Sequence, residues 1–152
     1  MATTPARSLR DAGQNWLLSC APHRTAAQLA WDAETFAEIP AGPYWRVAEA
    51  PLTRSVEAIQ RIGPERVGPV LADIYRDVAW WLLPADVTDE LDDIRRVTVH
   101  PTGWLLKCPP VERSLAGRWW LEWPDGTGRL TDPTLLGAAF GPGGRLSMEA
   151  FR

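Results

Sequence analysis

Two periods run through the apolar positions of this chain. Residues 68–84 (GPVLADIYRDVAWWLLP) hold two short continuous apolar runs, 69–73 and 78–83, separated by a polar turn at 74–77. Runs of this length bounded by turn residues predict strands covered on both faces, and the rest of the chain is expected to pack around them. Residues 44–49 (YWRVAE) alternate, with Trp45, Val47 and Glu49 on one side and Arg46 and Ala48 on the other, as a strand requires. Further strands are predicted at 97–99, at 104–108, and at 118–123 (RWWLEW), which the Pro124-Asp125-Gly126 turn closes.

Helical spacing appears in five places. Residues 8–20 carry Leu9, Ala12, Trp16 and Cys20 at helical intervals, with Ser8 as N-cap and Pro22 beyond the end. Residues 25–38 read as a second helix capped by Thr25, with Leu29, Ala33 and Phe36 on one face. Pro51 opens a helix to Ile62 whose stripe is Leu52, Val56, Ile59 and Ile62. A short helix is expected over 86–94, its acids gathered toward the N-terminal part. The last begins at Thr131-Asp132-Pro133, with Asp132 as N-cap, and runs to about Phe140. The sum is an α+β protein: a mostly antiparallel sheet with helices packed on one face. A helical arm (1–43) precedes the main unit (44–140), and a mobile tail (141–152) follows it.

Composition narrows the function classes. The chain has 152 residues, 45% hydrophobic and 23% charged, which suits one globular domain. Nine tryptophans are many, and seven lie between Trp45 and Trp123; they serve as core filler or as stacking and interface residues. The net charge of −3 argues against a sequence-independent DNA binder, which needs a clustered basic footprint. All but one of the basic residues are arginine, the exception being Lys107. No run of eighteen apolar residues exists and the first residues lack an apolar leader, so a cytoplasmic location without a membrane contact is expected.

Several constellations carry little chemistry. Cys20, His23, His100 and Cys108 hold two of each zinc-ligand type, but the seven residues between His100 and Cys108 across a strand turn are unlike a zinc knuckle. Asp86, Asp89, Glu90, Asp92 and Asp93 lack the glycine of a calcium loop. Gly126, Gly128, Gly143 and Gly144 do not open a phosphate loop, and no serine stands in a nucleophile elbow. No cofactor is expected.

From Tyr44 onward the order of motifs resembles the catalytic domain of bifunctional DNA primase/polymerases of the archaeo-eukaryotic primase superfamily, in the short stand-alone form found in actinobacteria. The residues that carry the resemblance are YWRVAEAP, GPVLAD, AWWLLPADV, GWLLKCPP and RWWLEWPDGTGRLTDPTLL, covering roughly residues 44–140. The resemblance implies an RRM-like sheet with helices behind it. It also implies two acids on the strand at 44–49 for divalent metal, and a Gly-Gly-x-His step into the strand at 78–83. Here the first strand offers Arg46 and Glu49, and the second is preceded by Asp77 without Gly-Gly or His. Two-metal phosphoryl transfer needs clustered oxygen ligands, and this sequence supplies too few on those strands.

Strand alternation puts Arg46, Lys107, Arg118, Trp120 and Glu122 out of phase with the apolar positions. On a sheet with one uncovered face, Arg46, Lys107, Arg118 and Trp120 would form a ligand-binding surface. Such a surface stacks a base and neutralises phosphate, or docks a protein. The expected function is therefore a catalytically degenerate primase/polymerase-like module that contacts a protein or single-stranded nucleic acid through an open sheet face. The enzyme alternative uses Glu49 and Asp73 as metal ligands. A third reading is a structural homodimer joined through exposed tryptophans.

Overall fold

The computed structural model describes residues 6–141; the tail expected at 141–152 lies, apart from its first residue, outside the described residues. Its element order is α1 (Ala6–Ser19), α2 (Arg24–Asp32), β1 (Ala37–Pro40), β2 (Trp45–Pro51), α3 (Leu52–Ile62), β3 (Val70–Asp73), β4 (Val78–Pro84), β5 (Thr98–Val99), β6 (Leu105–Cys108), β7 (Arg118–Glu122) and α4 (Pro133–Phe140). The α+β class expected from the two periods is what forms, with every strand pair antiparallel. Among the described residues no helix is long and apolar enough to cross a membrane.

The hairpin β3–β4 sits inside a five-stranded sheet of order β5-β2-β4-β3-β7. Every residue of β3 is buried, as are the five central residues of β4, which is what continuous apolar runs predict for strands covered on both sides. The turn between them is closed by Asp73, whose Oδ1 accepts from the amides of Tyr75 and Arg76. Asp77 completes it at φ 58°, a left-handed conformation that Asp tolerates better than bulky residues.

Both faces of this sheet are covered, which corrects the expectation of helices on one face only. On one face Ala48, Ala50, Val70, Ala72, Ala79, Trp81 and Leu83 pack with α3 and α4. Trp81 is wholly buried there, and its indole nitrogen donates to Ser55 Oγ at 3.0 Å. On the other face Trp45, Val47, Leu71, Trp80, Leu82 and Trp120 pack with Leu17 and Leu18 of α1, Trp31 of α2, and the β1–β6 ribbon. That ribbon is a separate two-stranded sheet in which Glu38 stands opposite Lys107. Its alternation buries Ala37, Ile39, Leu106 and Cys108 toward the main sheet and turns Glu38 and Lys107 to solvent.

Several local expectations shift. Helix α2 ends at Asp32 rather than reaching Glu38. Thr35 donates both its amide and its hydroxyl to the Ala30 carbonyl, and Glu34 turns left-handed, so the chain leaves as β1. The buried stripe of α2 is Ala27 and Trp31, while Leu29 is exposed; His23, not Thr25, occupies its N-cap position. Helix α1 buries Gly13, Leu17 and Leu18, with Leu9 exposed and Cys20 buried just past its end. Gly13 lies against the Pro124 carbonyl, so close that a β-carbon would have no room. In α3 Val56 is exposed and Ser55 and Ala58 take inner positions.

The helix expected over 86–94 is absent. Glu90 takes the Thr88 amide and hydroxyl into its carboxylate, and successive i→i+3 turns follow, burying only Val87 and Leu91. A side chain that captures a backbone N–H competes with the helix it would have started. At α4 the expectation holds: Asp132 Oδ1 accepts from the Thr134 amide at 2.8 Å, with Pro133 in the first turn.

Candidate functional site

Strand register decides which polar residues meet. Glu49 on β2 stands opposite Trp80 on β4, and Trp80 stands opposite Leu71 on β3, itself opposite Trp120 on β7. Asp73 and Arg118 form the next pair along β3 and β7. All these residues share the sheet face toward α1, α2 and the ribbon. Arg46, opposite Leu83, points to the other face by the two-residue period.

Arg118 is the centre of the first polar group. It is 8% exposed; its Nε donates to Asp73 Oδ2 at 2.9 Å, and its Nη1 donates to the Lys107 carbonyl at 2.8 Å. The guanidinium lies 4.4 Å from the Trp80 ring centroid and 4.9 Å from that of Phe36. This is the cation–aromatic arrangement available to a planar ion with apolar faces. Both oxygens of Asp73 are thereby engaged, Oδ1 by two amides and Oδ2 by Arg118. Burial pushes the Asp73 carboxyl up, but the Arg76 amide, the Arg118 guanidinium and the Tyr75 amide outweigh it and hold the group below its ordinary range. Arg118 thus ties β7, β3 and the ribbon together.

The second group surrounds Glu49. Its Oε1 accepts from Trp80 Nε1 at 2.9 Å and lies 2.9 Å from His100 Nε2. With Glu49 ionised, the imidazole proton on that side sits on Nε2. His100 is fixed from three further directions. Its amide donates to the Val47 carbonyl, its carbonyl accepts from Arg46 Nε and Nη2 at 3.2 and 2.8 Å, and its ring stacks on Trp104 at 3.8 Å and 2°. Beside this group a cleft of about 470 Å³ is lined by Glu49, Arg76, Asp77, Arg96 and Thr98. It is a recess at the end of β2 and β4 with Ala50, Pro51 and Val78 beside charges of both signs on its wall.

The sequence-predicted surface does not assemble. Arg118 and Trp120 are on one face and buried, Trp120 donating through Nε1 to the Pro109 carbonyl. Arg46 is on the opposite face and engaged with His100. Lys107 is exposed, but on the ribbon. The open sheet face they were expected to share is filled by α1, α2, β1 and β6. Glu49 and Asp73 do share a face, yet β4 lies between their strands, a separation of about 10 Å by strand spacing alone. None of the nine tryptophans is exposed: five are buried and four half-buried, which removes the basis of a dimer through exposed tryptophan.

Among the described residues no three His, Cys, Asp or Glu side chains are grouped to hold a metal ion. Cys20 and Cys108 are buried in one core cluster, His23 is exposed before α2, and His100 belongs to Glu49, so the four zinc-type residues are dispersed. Burial pushes the Cys108 thiol far up; the Cys20 thiol is also raised by burial, against smaller opposing contributions from Trp45 and Ser19.

His100, Trp104, Arg76 and Arg96 are the site residues that sequence reasoning missed. Thr98 and His100 share a phase at the end of an apolar strand, a weak signal that a polar group awaits them on β2. Only the β2–β5 pairing (Ala48 opposite Val99, Glu49 opposite Thr98) reveals that group as Glu49. No family model, curated protein or solved structure matches this chain.

Proposed function

We propose that the protein is a non-catalytic primase/polymerase-like module that binds its partner at the edge of the sheet, not on a sheet face. The observation that carries this reading is the state of Asp73. A carboxylate that already accepts two amides and a buried guanidinium has three of its roughly four lone-pair sites engaged and is itself buried. Stripping those donors away would leave Arg118 charged and unpaired in the interior. Glu49 is likewise occupied on Oε1 by two donors.

The scaffold part of the proposal is supported by strand order. β2, β3 and β4 form a split β-α-β unit with α3 as its crossover, and β5 adds antiparallel beside β2. The order β5-β2-β4-β3 is that of an RRM-like sheet. β7 is an addition outside β3, and turns replace the helix such a unit carries before its last strand.

The test is primer extension on a primed template with Mg2+ or Mn2+ and NTPs or dNTPs. The expected result is no extension. Template-dependent extension that Glu49→Gln or Asp73→Asn abolishes would overturn the proposal and restore the enzyme reading.

A further inference from the structure

A second cleft, of about 650 Å³, adjoins the first through Arg96 and is lined by Arg54, Arg61, Arg95 and Arg96, with Phe140 at its base. Four guanidinium groups from two separate segments face two acids, Glu57 and Asp93. Arg54 and Arg61 lie on one side of α3, each about 4 Å from Glu57, and Arg61 Nη1 also donates to the Ala139 carbonyl at 2.9 Å. Arg95 and Arg96 are exposed and have no carboxylate or carbonyl partner among the described residues. Arg96 is held at φ 70°, outside the conformations an unbranched L residue prefers.

We infer that this arginine cleft binds the phosphodiester backbone of single-stranded nucleic acid; the inference rests on the reading of the protein as a binding module and names its ligand. Spacing favours a strand over an isolated anion. Arg54 and Arg61, seven residues apart on α3, converge on one Glu57 oxygen, while Arg95 and Arg96 enter from a separate segment and Arg96 also lines the neighbouring cleft, so the cations are spread over two adjoining recesses. The row continues past Arg96 to Arg76 in the neighbouring cleft. Arginines spread over two adjoining clefts suit an extended phosphodiester backbone better than a single anion. Arginine forks pair with phosphate in a bidentate geometry that lysine does not reproduce. The net charge of −3 does not oppose this, because the local field of a cleft is set by the charges that line it.

Fluorescence anisotropy of a labelled oligothymidylate against the full chain at low salt tests the assignment. Binding is expected, weakened about tenfold in the double variant Arg95→Gln/Arg96→Gln. The slope of log affinity against log salt should fall by about 1.4 for two lost phosphate contacts. Arg66→Gln, an exposed arginine outside the cleft, should leave both unchanged. No oligonucleotide binding, equal loss in both variants, or displacement by polyglutamate at equal charge concentration would overturn the assignment. None of these would touch the module reading, which fails only on primer extension in the same samples.

Discussion

Asp73 and Glu49 lie on the same sheet face and were candidates for the same role, yet they have reached opposite ends of a range. Asp73 is 5% exposed and locked by a buried arginine. Glu49 has a quarter of its side chain in solvent and holds a histidine that is itself near the surface. The first is an internal strut: its charge closes the β3–β4 turn and anchors β7. The second borders a cleft and is tied to a polarisable ring pair. Identical chemistry on one sheet face therefore supplies rigidity in the interior and a polar surface at the edge, depending on which strand pairs alongside.

The contrast is tested most severely by removing the partner of each acid. Arg118→Ala leaves Asp73 buried and uncompensated, and should destabilise by about 3–5 kcal/mol in urea unfolding. If it costs no more than an exposed pair would, the strut does not exist. Ser55→Ala, on the other sheet face, orphans the buried Trp81 indole and is expected to cost about 1–3 kcal/mol. Glu49→Gln keeps an acceptor for Trp80 and should cost about 1 kcal/mol or less, since the group is partly solvated.

Acid adds a second separation. The Asp73 carboxyl is depressed in the folded protein, so its stabilisation is present above the unfolded carboxylate value of about 3.9 and is lost as pH falls through the folded value. Asp73→Asn should flatten the loss of stability as pH falls below the unfolded carboxylate value. A curve of unchanged shape would break the comparison. The smallest effect concerns the thiols: with both raised by burial, Cys20 and Cys108 should resist alkylation in the native state and react only on unfolding.

What could be read from the sequence followed from local rules. The runs in β3 and β4, the Asp132-Pro133 helix start and the α+β class all rest on contiguous residues. Helix α2 was overextended because Leu29, Ala33 and Phe36 mimic a stripe, although Ala37, Glu38 and Ile39 already alternate as a strand does. The expected helix at 86–94 failed because Glu90 captures the Thr88 amide. The site was less legible still. Alternation can place Arg118 on a face, but not reveal that the β1–β6 ribbon and two helices cover that face. Neither Glu49 with His100 nor Arg54 with Arg95 is near in sequence, and each meeting depends on long-range pairing or packing.

Manganese binding followed by electron paramagnetic resonance tests the central claim most directly, since free Mn2+ loses its sharp signal when protein oxygens coordinate it. With Asp73 locked by Arg118 and Glu49 held by Trp80 and His100, the full chain should leave the signal of millimolar Mn2+ unchanged, and Glu49→Gln and Asp73→Asn should behave alike. Two bound ions per chain, lost in either variant, would contradict the account and place a metal cradle where it finds a strut and a surface pair.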